Sequence, residues 1–177
     1  MNTLQLKEVM KRDRLGKEAF LGVFPMDLLP KQEVLQRPFS LIVNTAPSSH
    51  KGQHWLAVYV DDEGQGEMFD SYGHSASFYD RRLEHFLQRN CMFHVYNSRQ
   101  VQSFTSDVCG QFCLFFLLHR CRGIPADSIV NTFSKRTHQN DELVDHFIQK
   151  HFPFIKTYTK GNVKSLQKCK TRQQWLF

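Results

Sequence analysis

Between Gln102 and His119 the chain passes from a polar loop, Gln-Ser-Phe-Thr-Ser-Asp, through Val108 into an apolar stretch that opens with Cys109. The stretch reads as a central helix from about Val108 to His119, and the remaining elements must be arranged around it. A thiol at the start of such a helix sits among unpaired backbone N–H groups and at the positive end of the dipole. Both lower its pKa and favour the thiolate. Most free cysteines are small buried hydrophobes, so a nucleophilic Cys109 requires a histidine and an orienting group supplied from elsewhere.

A chain of 177 residues fits one domain with a sizeable core. No signal peptide is expected in residues 1–15, and no stretch approaches the ~18 apolar residues of a membrane span. Five cysteines without a secretory signal read as reduced thiols in an intracellular setting. The net charge of +6 is concentrated at one end: Lys156, Lys160, Lys164, Lys168, Lys170 and Arg172 meet no acidic residue before Phe177. Residues 1–155 are therefore formally neutral. They read as the main domain, and 156–177 as a basic tail of the same domain.

Periodicity predicts a helix over residues 2–15. Phe20 to Pro25 reads as a loop, Phe39–Thr45 as a strand between Pro38 and Pro47, and Ala46–Gly52 as a loop. His54–Val60, the turn Asp61–Gly64 and Glu67–Tyr72 predict an antiparallel hairpin. Ser77 is expected to cap a helix to about Arg89, with Phe78, Leu83, Phe86 and Leu87 inward. A short strand is expected over Met92–Tyr96. Pro125 opens a helix to about Phe133, and residues 140–151 form an amphipathic helix with Leu143, Val144, Phe147 and Ile148 inward. The class is α+β: a small, mostly antiparallel sheet with helices beside it.

His54 opens a predicted strand directly after a polar loop, and hairpin pairing can bring the Asp70 carboxylate beside it. A cysteine nucleophile needs such a base and such an orienting group. Gln102 carries an amide N–H able to stabilise a developing oxyanion. His54 and Asp70 each have a blander reading alone: a surface loop histidine and a turn-forming aspartate.

Together, Gln53-His54-Trp55, Phe69-Asp70-Ser71-Tyr72-Gly73 and Gln102-(six residues)-Cys109-Gly110 resemble the motifs of the adenovirus protease (adenain) family of cysteine endopeptidases. The order His, acid, Gln, Cys also matches its clan, which includes the SUMO-specific proteases, and reverses the papain order. The resemblance extends to Phe20-Leu21-Gly22 and Ile42-Val43-Asn44-Thr45-Ala46, and more weakly to Phe147–Phe154. It implies a permuted papain-like fold with Cys109 as nucleophile, His54 as general base and acid, Asp70 as orienting group and Gln102 as oxyanion donor. Trp55 would shield His54, and Gly110 would support the helix start. The viral branch usually has Glu in place of Asp70, whereas the SUMO-protease branch has Asp.

The implied reaction is peptide-bond hydrolysis after small residues, notably glycine, in capsid or core precursors of a virus or virus-like mobile element. A location in host nucleus or cytoplasm and in the virion follows from the resemblance, and a monomer is expected. Cys91, 11 residues before Gln102, matches the cysteine by which such proteases bind an activating viral peptide through a disulfide. The basic tail would contact DNA, a cofactor of the adenoviral relatives, with Trp175 and Phe177 stacking or docking. No metal is expected: Cys109, Cys113, His119 and Cys121 lack paired ligand spacing. The alternatives are a SUMO- or ubiquitin-like isopeptidase and a degenerate protease fold serving as a DNA-binding, capsid-associated module.

Overall fold

The computed structural model describes residues 1–155. The tail lysines, Arg172, Trp175 and Phe177, and with them the predicted DNA contact, lie outside the described residues. The chain runs α1 (Thr3–Arg12), α2 (Gly16–Ala19), β1 (Phe20–Pro25), a 3-10 turn (Met26–Leu28), β2 (Phe39–Asn44), β3 (Trp55–Val60) and β4 (Gln65–Phe69). It continues through α3 (Ala76–Tyr79), α4 (Arg81–Asn90), β5 (Phe93–Tyr96), α5 (Cys109–Arg120), α6 (Ala126–Asn131) and α7 (Thr137–His151).

The five strands lie in the order β1-β2-β3-β4-β5. β2/β3 and β3/β4 are antiparallel, while the flanking pairs β1/β2 and β4/β5 are parallel, so the sheet is mixed. The segment read as a loop, Phe20–Pro25, is the edge strand β1. Its Gly22 and Pro25 are local breaker signals, but an edge strand accommodates both. The register slips between Phe20 and Gly22, as a bulge does.

Strand alternation divides the apolar residues between two cores. Ile42, Ala57, Tyr59 and Phe69 face one cluster with α1, α5, α6 and α7. Leu41, Val43, Leu56, Val58, Val60 and Met68 face the other, closed by α4 and the 3-10 turn. Helices therefore cover both faces, which explains why β2 is buried along its whole length. α5 is the central helix: from Cys109 to Leu118 only Gln111 escapes burial.

Two of the predicted helices differ in detail. The predicted helix from Ser77 is broken at Asp80, whose φ of −159° is extended. Asp80 then caps α4 by accepting from the Arg82 N–H at 2.7 Å. Ser77 lies inside the short α3, and Phe78 turns outward with 63% exposure. α7 begins earlier than expected, at Thr137, and Leu143 is 40% exposed rather than core.

Candidate active site

His54 immediately precedes β3, and its carbonyl accepts the Thr45 N–H at 2.9 Å, so the ladder to β2 holds its backbone. Continuing the β3/β4 register past Ala57↔Phe69 sets Asp70 opposite Leu56, diagonal to His54 on that face. His54 Nε2 donates to Asp70 Oδ1 at 2.7 Å. The contact is direct, so the short Asp side chain reaches the ring.

Cys109 is the first residue of α5. Val108 at the N-cap offers no side-chain bond, so the first N–H groups of α5 remain available at the positive end of the dipole. The His54 ring and the Trp55 backbone N–H lie close enough to the Cys109 thiol to favour its thiolate. Nε2 is engaged by Asp70, which leaves Nδ1 as the ring nitrogen available to the thiol. Cys109, His54 and Asp70 therefore form one line, with the carboxylate completely buried and both other residues under a tenth exposed.

Burial is the largest influence on each of the three, and in each it is outweighed. It pushes the Cys109 thiol up, but the bond and charge of His54 and the Trp55 N–H bring it below its ordinary value of 9.0. Burial pushes His54 down, but bonds to Asp70 and Cys109 raise it from 6.5 to about 9. Burial pushes Asp70 up, but donors from His54, the Tyr72 backbone and Tyr79 hold it below 3.8. Both shifts favour the thiolate–imidazolium form of the pair over the neutral one. The other described cysteines behave oppositely: burial raises Cys91 and Cys121 to about 11 and Cys113 well above its ordinary value.

Sequence reasoning missed the groups that hold Asp70. Its Oδ1 also accepts the Tyr72 N–H at 3.0 Å, and its Oδ2 accepts the His74 N–H at 2.8 Å and the Tyr79 hydroxyl at 2.7 Å. His74 Nδ1 lies 3.2 Å from Oδ2. Asn97 clamps the Asp70 backbone from β5's end, accepting its N–H at 2.8 Å and donating to its carbonyl at 2.7 Å. The rings that stack on His54 are Tyr72, with centroids 4.8 Å apart, and Tyr79, at 6.0 Å. Trp55 instead lies on the first turn of α5 and donates its indole N–H to the Met1 carbonyl at 3.1 Å. A Cβ on Gly110 would come within 3.2 Å of Leu6 and 3.4 Å of the Trp55 ring, so the glycine permits this close approach.

Gln102 is fully buried at the rim of the pair. Its Oε1 accepts the Ser71 hydroxyl at 2.6 Å, which fixes the amide's orientation. Its Nε2 donates to the Ser106 carbonyl at 3.0 Å and, more weakly, to Ser106 Oγ at 3.2 Å. Cys109, His54, Gln102 and Tyr72 line a cleft of about 670 Å³ together with Asn44, Ala46 and Gly52. Cys91 does not line it. That residue caps α4 and packs on Gly66, where a Cβ would come within 2.4 Å of its sulfur. Among the described residues no group of three or more His, Cys, Asp or Glu is arranged to hold a metal, and no helix is long and apolar enough to cross a membrane. His119 Nδ1 is bound to the Phe115 carbonyl at 2.6 Å.

A family model described as adenovirus endoprotease matches residues 20–122. The chain is 34% identical over 121 residues to a protease of Porcine adenovirus A serotype 3, covering 61% of this chain and 58% of that one. It is 26% identical over 168 residues to a protease of Bovine adenovirus B serotype 3, covering 77% and 82%. The fold is similar to that of the ASFV pS273R protease, with a TM-score of 0.56 over 79% of this chain and 63% of that one, at 16% identity. The match to the porcine relative spans less than two thirds of that relative's length. The family match takes in over half of the chain, including the hairpin with His54 and Asp70, the loop of Gln102 and the whole of α5; the chain belongs to the adenovirus endoprotease family.

Proposed function

We propose that the protein is a cysteine endopeptidase that cleaves viral precursor proteins after small residues such as glycine during particle maturation. The supporting observation is the Cys109–His54–Asp70 line, in which Cys109 alone among the described cysteines has its pKa lowered. The Cys109 thiolate attacks the scissile carbonyl carbon. The developing oxyanion is met by the Cys109 backbone N–H and by the Gln102 N–H that now makes the weaker contact with Ser106 Oγ. One such donor is worth ~2.7–4 kcal/mol in the transition state. The His54 imidazolium gives its Nδ1 proton to the leaving amine, and the C–N bond breaks to leave a thioester on Cys109. Neutral His54 then takes a proton from water, whose oxygen attacks the thioester and releases the thiolate. Asp70 holds the imidazole by Nε2 throughout.

The family reading also proposes an activating peptide at Cys91 and DNA along the tail. The Cys91 thiol is half-buried and burial pushes it up to about 11, which makes it a slow partner for disulfide exchange. Cleavage-site profiling of a peptide library, comparing wild type with Cys109→Ala, tests the central reading. New amino termini following glycine in the wild-type digest alone are expected. Equal cleavage by Cys109→Ala overturns the assignment, and rapid labelling by a glycine-terminated ubiquitin-like probe would redirect it to an isopeptidase.

A further inference from the structure

An aromatic strip leads out of the cleft at the catalytic histidine. Tyr72 stacks on His54 at 4.8 Å, and Phe104 stacks on Tyr72 at 5.6 Å with an interplanar angle of 18°. Phe104 is 79% exposed despite its size. On the other side of Tyr72, His74 lies edge-on at 6.5 Å and carries Phe78 stacked at 4.0 Å, itself 63% exposed. Two large rings thus stand in solvent beside the site, although their neighbours in sequence are polar. Single exposed apolar residues are ordinary, but a contiguous patch of them marks a contact surface.

The chemistry of the site settles which part of a peptide this strip meets. The oxyanion must point to Gln102 and the Cys109 N–H, and the leaving nitrogen must point to His54, which protonates it. The chain beyond the scissile bond therefore departs over His54, whose exposed flank is Tyr72 followed by Phe104.

We propose that Tyr72 and Phe104 form a specificity shelf for a large apolar, preferentially aromatic, residue within the first three positions after the scissile bond. The proposal rests on the endopeptidase reading above. Seating a ring beside Phe104 buries an exposed apolar face and adds an offset-stacked pair, a gain of about three- to tenfold in kcat/KM. The gain appears mainly in KM, because the shelf contacts ground state and transition state alike.

The test is a peptide series with one constant acyl side ending in glycine and with Gly, Ala, Phe, Lys or Glu in turn at each of three leaving-side positions. Wild type is expected to favour Phe at one position, Phe104→Ser to lose that preference, and Phe104→Trp to regain it. Iodoacetamide alkylation of Cys109, which involves no leaving-side peptide, reports separately on the thiolate. Cleavage with a flat leaving-side profile overturns the shelf alone. A preference for Phe that survives Phe104→Ser also overturns it. Absence of cleavage with a reactive Cys109 overturns the endopeptidase reading and the shelf with it.

Discussion

Replacing Asp70 by Asn tests the site through its most buried member. All five groups around the carboxylate are positioned as donors: the His54 Nε2–H, the backbone N–H of Tyr72 and of His74, the Tyr79 hydroxyl and His74 Nδ1. An amide supplies one oxygen only, so its NH2 must face a donor or force His54 into the tautomer protonated at Nδ1. The rise of His54 from 6.5 to about 9 corresponds to about 3 kcal/mol favouring the imidazolium. A carboxylate at this distance accounts for roughly one to three units of such a shift. In Asp70→Asn the pKa of His54 therefore falls to between about 6 and 8, and burial lifts the thiol of Cys109 once its cation is lost. At pH 7.5 the imidazolium fraction of His54 falls from near unity to between about three quarters and about 3%, and the wrong tautomer lowers kcat further, toward the ~10⁴ seen when a triad acid is made an amide. The assay is the pH profile of Cys109 alkylation alongside peptide kcat/KM. Wild type should lose peptidase activity as pH rises through about 9, when the imidazolium deprotonates, while alkylation persists. Because the folded pKa of His54 is raised, its contribution to stability is complete below about 6.5 and is lost as pH rises through about 9. An Asp70→Asn protein that keeps an alkaline limb near 9 and activity within about threefold of wild type refutes the reasoning.

Ser71→Ala frees the Gln102 amide to turn, and is expected to lower kcat/KM about tenfold while Cys109 alkylation is unchanged. The double variant with Gln102→Ala should be no worse than Gln102→Ala alone, and a double-mutant cycle showing additive losses breaks the coupling. Gly73→Ala places a Cβ 2.7 Å from the Arg99 carbonyl carbon at a φ of +79°, so a loss above the ~1–2 kcal/mol of left-handed strain is expected in denaturant unfolding. An unchanged midpoint would contradict it. Asp13→Ala leaves the Arg122 guanidinium without the carboxylate that accepts it at 2.5 and 3.3 Å and deprives the Gly16 N–H of its 2.7 Å acceptor. A stability loss of about 3 kcal/mol is expected, and calorimetry showing less than about 1 kcal/mol would exclude it.

The central helix and the hairpin were legible in the sequence because local pattern determines them: an apolar run after a polar loop, and alternating strands about a Gly-containing turn. The candidate residues stood out for the same reason, since His54, Asp70 and Cys109 each occupy an element boundary. β1 was not legible. Its strand character comes from parallel pairing with β2, a non-local contact that outweighs the local signals of Gly22 and Pro25. Phe78 was misplaced because a single helical period was carried across Asp80, where the backbone extends and a new helix is capped. Tyr79 and His74 carry no motif of their own, and Ser71 lies inside the Phe69–Gly73 motif without showing that its hydroxyl reaches Gln102. Their positions depend on where the Asp70 carboxylate and the Gln102 amide point, which only the tertiary structure determines.

Asp70 and Ser71 are consecutive, and that adjacency joins the two halves of the proposed chemistry. The side chain of Asp70 serves the proton-transfer side through His54, and the side chain of Ser71 orients Gln102 on the oxyanion side. The Ser71 carbonyl also accepts the N–H groups of Val101 and Gln102, at 2.9 and 3.0 Å. The turn closes with the Gly73 N–H on the Asp70 carbonyl at 2.9 Å, and glycine there lets it lie against Arg99 and Gln100. Neither side can move alone: shifting Asp70 away from His54 drags Ser71 from Gln102 and breaks the backbone bonds that place the loop before Cys109. The proposed base and the proposed oxyanion donor are thus both tied to one turn at the end of β4, while α5, packed in the apolar core, holds the sulfur. An insertion or deletion between Phe69 and Gly73 should therefore abolish alkylation selectivity and peptide turnover together, whereas a change confined to one side separates them.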